Sequence, residues 1–354
     1  MKNIWSWIAL GTLGLALIGC SGGTEKTGDT TGGGKTEAKS GDAKALKVGI
    51  VFDSGGRGDK SFNDSAFAGI DRAQKEFGIT VKDVQTKSEK DYETNQTALA
   101  EAGMDLVICV GLNQETALKK VAAAFPNQKF AIVDGKVDAP NVRMLRFREE
   151  EGSFLVGYLA GLMTTTNKIG FVGGMNIPLI AKFQYGYAAG ARMANPKIEM
   201  LPAKFTDNWD DTQKAKAAAG ILFDGGADIV YHAAGRAGLG VITAAKEANK
   251  WAIGVDSDQD DIEPGRVLTS MVKRVDEAVY QTIMDLKDGK FSPGETIYDL
   301  KMNGVGISEL KHTKDTIGAE KLAKVEEIKK KIIAGEIKVP ASETAYNAFL
   351  AGMK

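Results

Sequence analysis

The sequence predicts an α/β protein built as two doubly wound, parallel-sheet lobes with a cleft between them. Three observations carry this expectation. Short apolar runs such as 48–52 and 105–110 are bounded by glycine-rich or polar turns, the pattern of strands covered on both faces. Those runs alternate with segments of helical periodicity, which implies parallel strands joined by right-handed crossovers. The alternation then restarts near residue 151, so one chain holds two similar halves.

The first unit, KVGIVFDSGGRGDKSFNDSAFAGIDRA at 47–73, sets the pattern. A strand at 48–52 breaks into the polar turn from Asp53 to Lys60, after which Phe67, Ile70, Ala73 and Phe77 recur at helical spacing. In open α/β sheets ligands sit beyond the carboxyl ends of the strands, where Asp53, Asp59, Lys60, Ser61, Phe62 and Asn63 fall. A phosphate cradle wants N–H donors and a cation, and two carboxylates beside it would repel the phosphate. Asp53, Asp59, the amide of Asn63 and the ring of Phe62 suit a neutral, flat molecule that bears hydroxyls. The same residues also read as an N-cap from Asp59 or Ser61 with Phe62 as a hydrophobic staple. The Arg57-Gly58-Asp59 string matches an integrin-binding tripeptide, and in this loop it is read as coincidence.

Further strands are expected at 80–84, 105–110, 129–133 and 142–147, with helices at 92–102 and 116–124 between them. Asn95 and Gln96 are placed on the water-facing side of the former helix, and Phe125-Pro126 stops the latter. The second half brings helices at 151–163, 179–194, 211–224 and 238–248, and strands at 168–172, 199–205, 229–232 and 251–255. A strand at 268–272 and a helix at 276–286 follow, where the chain returns to the first lobe. Strands at 296–300 and 305–307 are assigned to the second lobe, and a charged helix at 319–334 ends the fold, its Lys run at 329–331 being a solvated face. The expected division is 46–150 plus about 274–292 for lobe one and 151–273 plus about 293–354 for lobe two.

The amino terminus carries its own signals. A positive start at Lys2, an apolar segment at 8–18 and the ending Leu17-Ile18-Gly19-Cys20 resemble a bacterial lipoprotein signal peptide over 1–19, with Cys20 as the acylated residue. The apolar run is shorter than the roughly 20 residues a membrane span needs. Residues 20–45 form a Gly/Thr/Lys-rich tether with little to bury. The other cysteine, Cys109, lies in LVICVG as a small buried hydrophobe. A net charge of −1 over 354 residues supplies no basic excess for nucleic acid. The expected place is the cell membrane, lipid-anchored and facing outside the cytoplasmic membrane.

Several strand ends could converge on the cleft. Asp134 closes the fourth strand, Phe183 lies on the first turns of a helix, Gly235 and Gly238 follow a strand, Asp256 follows another, and Lys273 follows LTSMV. The plainer alternatives are a core ring for Phe183, turn residues for Asp134 and Asp256, and a surface charge for Lys273. Two rings can sandwich a base while carboxylates and a lysine take hydroxyls. Only two histidines, His232 and His312, are present; H-E-x-x-H and G-x-S-x-G are absent, so no zinc site or serine triad assembles from recognisable parts. The glycines at 235, 238 and 240 lack dinucleotide spacing, and His232 reads as structural. No catalysis, metal or cofactor is expected.

Taken together, VFDSGGRGDKSFNDSAFAGI, VDG at 133–135, EEGSFLVGYLAG at 150–161, GGM…KF…YGYAAG at 173–190, IGVDSDQ at 253–259 and LTSMVKR at 268–274 resemble the basic membrane protein family of bacterial lipoproteins. That family is similar to spirochaetal purine-nucleoside receptors and to nucleoside-binding components of ABC transporters. The resemblance implies a type I periplasmic-binding-protein fold with three crossovers at the hinge. It further implies that Phe62 and Phe183 stack on the base, that Asp134 with Asn63 or Asp53 reads the base edge, and that Asp256, Lys273 and the Gly235 backbone hold the ribose. Lys60 is counted with these as a ligand-binding residue, and Asn113, Met175, Trp209 and Gly238 are secondary candidates, Trp209 either shaping the base pocket or capping the next helix. The implied partners are a nucleoside, purine first, and an ABC permease, with no oligomer required. Rival functions for the same fold are a signalling receptor or a binder of a sugar or autoinducer.

Overall fold

The computed structural model of the protein describes residues 45–353. The leader at 1–19, Cys20 and all but the last residue of the tether lie outside the described residues.

The chain opens with β1 (Lys47–Val51), α1 (Phe62–Phe77), β2 (Thr80–Val84), α2 (Tyr92–Glu101), β3 (Leu106–Val110), α3 (Glu115–Ala124), β4 (Phe130–Val133) and β5 (Val142–Phe147). The apolar strands β1, β3 and β4 sink into the core, whereas β2, TVKDV, is the charged strand that an exposed sheet edge tolerates. Next come α4 (Glu149–Met163), β6 (Lys168–Gly173), α5 (Pro178–Ala194), β7 (Glu199–Met200), β8 (Lys204–Phe205), α6 (Thr212–Asp224), β9 (Ile229–Ala233), α7 (Leu239–Glu247), β10 (Trp251–Asp256) and β11 (Val267–Lys273). The chain closes with α8 (Val275–Lys287), β12 (Gly294–Tyr298), β13 (Val305–Ile307), α9 (Lys314–Ile317), α10 (Ala319–Ile333) and α11 (Glu343–Gly352).

Two sheets result. The first has the order β12-β5-β4-β3-β1-β2 and the second β13-β11-β10-β9-β6-β7, with β8 also paired to β6. All pairings are parallel except β11 with β13. In each sheet the order in which the chain adds strands reverses once, between β1 and β3 and between β6 and β9. At such switch points the strand ends open a crevice. The chain crosses between sheets three times, from β5 into α4, from β11 into α8, and from β12 to β13.

Four expectations are corrected. The strand expected at 296–300 in lobe two is β12, and it pairs with β5 in the first sheet. Tyr298 stacks on Phe147 at 5.2 Å there, and Glu295 pairs with Arg146 at 2.9 Å. Gln96 does not face water: its Nε2 donates to Gln114 Oε1 at 3.0 Å, and Gln114 Nε2 donates to the carbonyls of Val51 and Val110. The pair therefore satisfies carbonyls at the ends of β1 and β3. The strand expected at 199–205 is broken into β7 and β8. Finally, α10 is followed by α11, capped by Ser342, whose Tyr346 and Phe349 rings meet Tyr185 and Phe154.

Helices α4 and α5 touch backbone to backbone, and glycine makes this possible. A Cβ on Gly157 would fall inside contact distance of the Tyr187 carbonyl, and one on Gly190 would meet that of Phe154. Such overpacking against rigid backbone costs about 1–3 kcal/mol or more. Gly220 in α6, by contrast, has nothing near its missing Cβ. Urea denaturation is therefore expected to show Gly157→Ala destabilised by at least about 2 kcal/mol and Gly220→Ala stabilised by about 0.5–1 kcal/mol. Equal effects in the two variants would contradict the close α4–α5 packing.

Candidate functional site

The strand ends of both lobes face one cavity. Its first wall comes from the loop after β1 and the start of α1: Asp53, Gly55, Asp59, Phe62 and Asn63. Asp59 is nearly inaccessible, and its carboxylate accepts from the N–H groups of Ser61 at 2.9 Å, Asn63 at 2.8 Å and Asp64 at 3.1 Å. Asp59 thus takes the first-turn N–H groups of α1, while Ser61 makes no side-chain cap. With Asp59 buried, the Arg57-Gly58-Asp59 string cannot present its carboxylate to a partner. Asn63 is also engaged: Oδ1 accepts from Asp53 N at 3.2 Å and Nδ2 donates to Asp59 at 3.0 Å. Asp53 turns back on its own loop, accepting from Gly55 N at 2.8 Å.

The second wall belongs to the other lobe, with Leu179, Ile180 and Phe183 from α5, Trp209 from the loop before α6, Ala233 at the end of β9, and Gly235 and Arg236 after it. Phe62 and Phe183 come from opposite lobes and address the same ammonium: Lys273 Nζ lies 5.2 Å from one ring centroid and 5.6 Å from the other. Trp209 stacks over Gly174, and Asp211 caps α6 by accepting from Lys214 N, so the open choice for Trp209 falls to the cavity.

The floor is charged. Lys273, the last residue of β11, donates to Asp134 Oδ2 at 2.6 Å and sits 3.2 Å from Glu149 Oε1. Glu149 is held from its other oxygen by Lys182 at 2.7 Å. Burial opposes the Lys273 charge, yet Asp134, Glu149 and Asp256 outweigh it and push its pKa up. Burial also resists ionisation of Glu149, but the two lysines bring its pKa below the usual range. Asp134, where burial wins, is shifted up, and its Oδ1 is buried with no partner among the described residues. Asp134 and Asp256 both leave their strands in the left-handed region, at φ 67° and 64°, a turn short acidic side chains tolerate. Asp256 accepts from Ser61 Oγ at 2.5 Å, and burial raises its pKa to about 6.

Of the residues singled out from the sequence, Asp53, Phe62, Asn63, Asn113, Asp134, Phe183, Trp209, Gly235, Asp256 and Lys273 line this cavity. Three do not. Lys60 is exposed and outside the lining, and its carbonyl accepts from Gln259 Nε2 of the other lobe. Gly238 packs under the buried His232 ring, and Met175 lies outside the lining. Asn113 donates to Glu89 at 2.6 Å at the rim. Sequence reasoning passed over Glu149, Arg236, Leu112, Leu179 and Ile180. Glu149 opens a run of three acidic residues that reads as an ordinary helix start, and only its contacts with Lys273 and Lys182 distinguish it.

A family model described as "ABC transporter substrate-binding protein PnrA-like" matches residues 46–343. The chain belongs to this family. It is similar to a protein of Listeria innocua named CD4+ T-cell-stimulating antigen, 38% identical, the match covering 87% of this chain and 93% of that one. It is likewise similar to the "ABC transporter nucleoside-binding protein BmpA" of Lactococcus lactis, 35% identical over 95% and 97% of the two chains. Among solved structures, a solute-binding protein of an ABC transporter system from Aeropyrum pernix matches with TM-score 0.78 at 32% identity, covering 87% of this chain and 98% of that one. The chain thus has the type I periplasmic-binding-protein fold and serves as a substrate-binding protein, not as an enzyme. Among the described residues no helix is long and apolar enough to cross a membrane.

The buried carboxylates of this binding protein have a measurable signature. Burial lifts Asp53 from an ordinary 3.8 to about 6, helped by Asp59 and eased by the Gly55 N–H. A pKa raised by folding adds stability that is full below the unfolded value and lost as pH rises through the folded value. Asp53→Asn removes the cost of the ionised form. Its unliganded unfolding free energy is expected to exceed that of the parent by about 2–3 kcal/mol at pH 8, the worth of about two pKa units, and the excess should fade by about pH 4. A difference that does not change with pH would contradict the buried, ionisable Asp53.

Proposed function

We propose that the protein is a lipid-anchored receptor that captures a nucleoside, purine first, between its lobes and delivers it to an ABC permease. The observation that carries this reading is the pairing of Phe62 and Phe183. Rings from opposite lobes border one cavity whose polar lining is dominated by acceptors. Aromatic faces on both sides accept a flat base, and each base–aromatic stack is worth about 1–3 kcal/mol. Asp134 Oδ1, buried without a partner among the described residues, suits an N–H of the base edge, as does Asp53. Asn63 is already committed to Asp53 and Asp59, which leaves it the smaller share of that role. Asp256, Lys273 and the Gly235 backbone, where φ is 56°, are assigned to the ribose hydroxyls. The name of the Lactococcus relative supports the same ligand class.

Charge argues against nucleotides. Four aspartates line the cavity, at 53, 59, 134 and 256, against Lys273 and Arg236, and Lys273 is already neutralised by Asp134 and Glu149. A phosphate entering this site would meet carboxylates rather than free donors. Anchoring follows from Cys20, which would carry the lipid ahead of the described residues.

Isothermal titration of the chain without residues 1–20, refolded to strip carried-over ligand, tests the reading. Sub-micromolar binding of at least one nucleoside is expected, with AMP and free ribose at least about 100-fold weaker. Phe62→Ala and Phe183→Ala should each lose roughly 5- to 150-fold in affinity, the worth of one stacked face. Tight binding of ribose with Phe183→Ala unimpaired would overturn the nucleoside assignment. Over the pH range 7.5 to 5, affinity should fall as Asp53 and Asp256 take up protons near pH 6 and lose acceptor strength.

A further inference from the structure

Arg236 does something no ligand contact explains. It sits on the single turn that follows β9, beside Gly235, and reaches out of the second lobe into the loop after β1. Its Nε donates to the carbonyl of Gly55 at 3.1 Å and its terminal nitrogen to the carbonyl of Arg57 at 2.6 Å. The turn is itself anchored in the second lobe, since Ala237 N donates to the carbonyl of Trp209 at 3.0 Å.

The loop it grips is equally well anchored to the first lobe. Gly55 N donates to Asp53, Arg57 N to Gln85 Oε1 at 3.0 Å, and Gly58 N to Asp64 at 2.7 Å, while the Arg57 guanidinium stacks on Phe67 at 3.4 Å. Two rigid bodies are therefore joined directly. A second clasp lies beyond Asp256, where Ser257 Oγ donates to the Ser61 carbonyl and Gln259 Nε2 to that of Lys60, each at 3.0 Å. All four of these bonds end on backbone carbonyls of one loop, and none needs a ligand atom.

We infer that Arg236 is a closing latch: a positioning residue that holds the two lobes together and slows ligand release through protein–protein hydrogen bonds. The latch itself goes beyond the nucleoside reading, although its release-rate consequence rests on that reading. A guanidinium suits the role because it stays charged and offers two N–H vectors in a fixed fork; lysine offers one point charge and cannot span both carbonyls. The carbonyl of Gly55 that takes the latch belongs to the residue whose N–H holds Asp53. Closure and the orientation of that cavity carboxylate are thereby tied together.

The test uses the chain without residues 1–20, which keeps the whole compact described unit. Spin labels at Lys75→Cys in α1 and Glu199→Cys in β7, both exposed and in opposite lobes, report the interlobe distance. Without any nucleoside, the parent is expected to show a closed population that Arg236→Ala loses and Arg236→Lys keeps in part, with midpoints of unfolding close to the parent's. With a nucleoside that binds, stopped-flow release should speed up by about ten- to hundredfold in Arg236→Ala, the worth of charge-assisted hydrogen bonds. An unchanged distance distribution in Arg236→Ala, or a slower association with unchanged release, overturns the latch. If no nucleoside binds the parent, the function proposed above fails while the distance measurement still decides the latch. Should the alanine variant not fold, the lysine variant and Gly58→Ala, whose Cβ would lie 3.8 Å from the Arg236 tip at φ 84°, carry the same readout.

Discussion

The fold and the site meet at one buried ammonium. Lys273 comes from the second sheet, Asp134 from the end of β4 in the first, and Glu149 from the first turn of the helix by which the chain passes from one to the other. Isolated, any of these charges would cost several kcal/mol to bury, so each is tolerable only when the others are in place. Lys182 completes the set from α5, which also supplies Phe183. The same ion cluster therefore ties the hinge helix, both sheets and the ring-bearing helix to one geometry. Asp134 Oδ1, an acceptor with no partner among the described residues, is what the cluster leaves for a ligand.

Around this centre the two lobes behave as units for opposite reasons. Within lobe two, glycines let α4 and α5 meet backbone to backbone, a contact with no slack to absorb motion. Between lobes, contact near the mouth is through hydrogen bonds to carbonyls at the loop after β1, which can be made and broken as whole sets. Rigid bodies joined by a few crossovers and a breakable polar seam are the physical requirement for a binding protein that must open and close.

Selectivity follows from an unequal inventory of donors and acceptors. The cavity has aspartates whose carboxylates are desolvated, and two of them, Asp53 and Asp256, titrate near pH 6. Such groups reward a ligand that brings N–H and O–H donors and penalise one that brings further negative charge. The aromatic faces set the shape; the carboxylates set the sign.

What could be read from the sequence was what local chemistry dictates. Apolar runs bounded by turns are strands wherever they end up, and the α/β rule that ligands gather at strand ends singled out Asp53, Asp134, Asp256 and Lys273 without coordinates. Which residues would hold a base and which a ribose needed the family resemblance. Tertiary structure decided what depends on distant partners. Tyr298 joins the first sheet because α8 docks on that lobe and delivers the chain to its free edge beside Phe147. Gln96 is buried because it holds Gln114, which donates to two strand-end carbonyls, and Lys60 is exposed, meeting the second lobe through its carbonyl. Arg236 and Glu149 look like ordinary surface and helix-start charges in sequence. Their roles exist only once two lobes face each other, since a hydrogen bond across a hinge has no local signature.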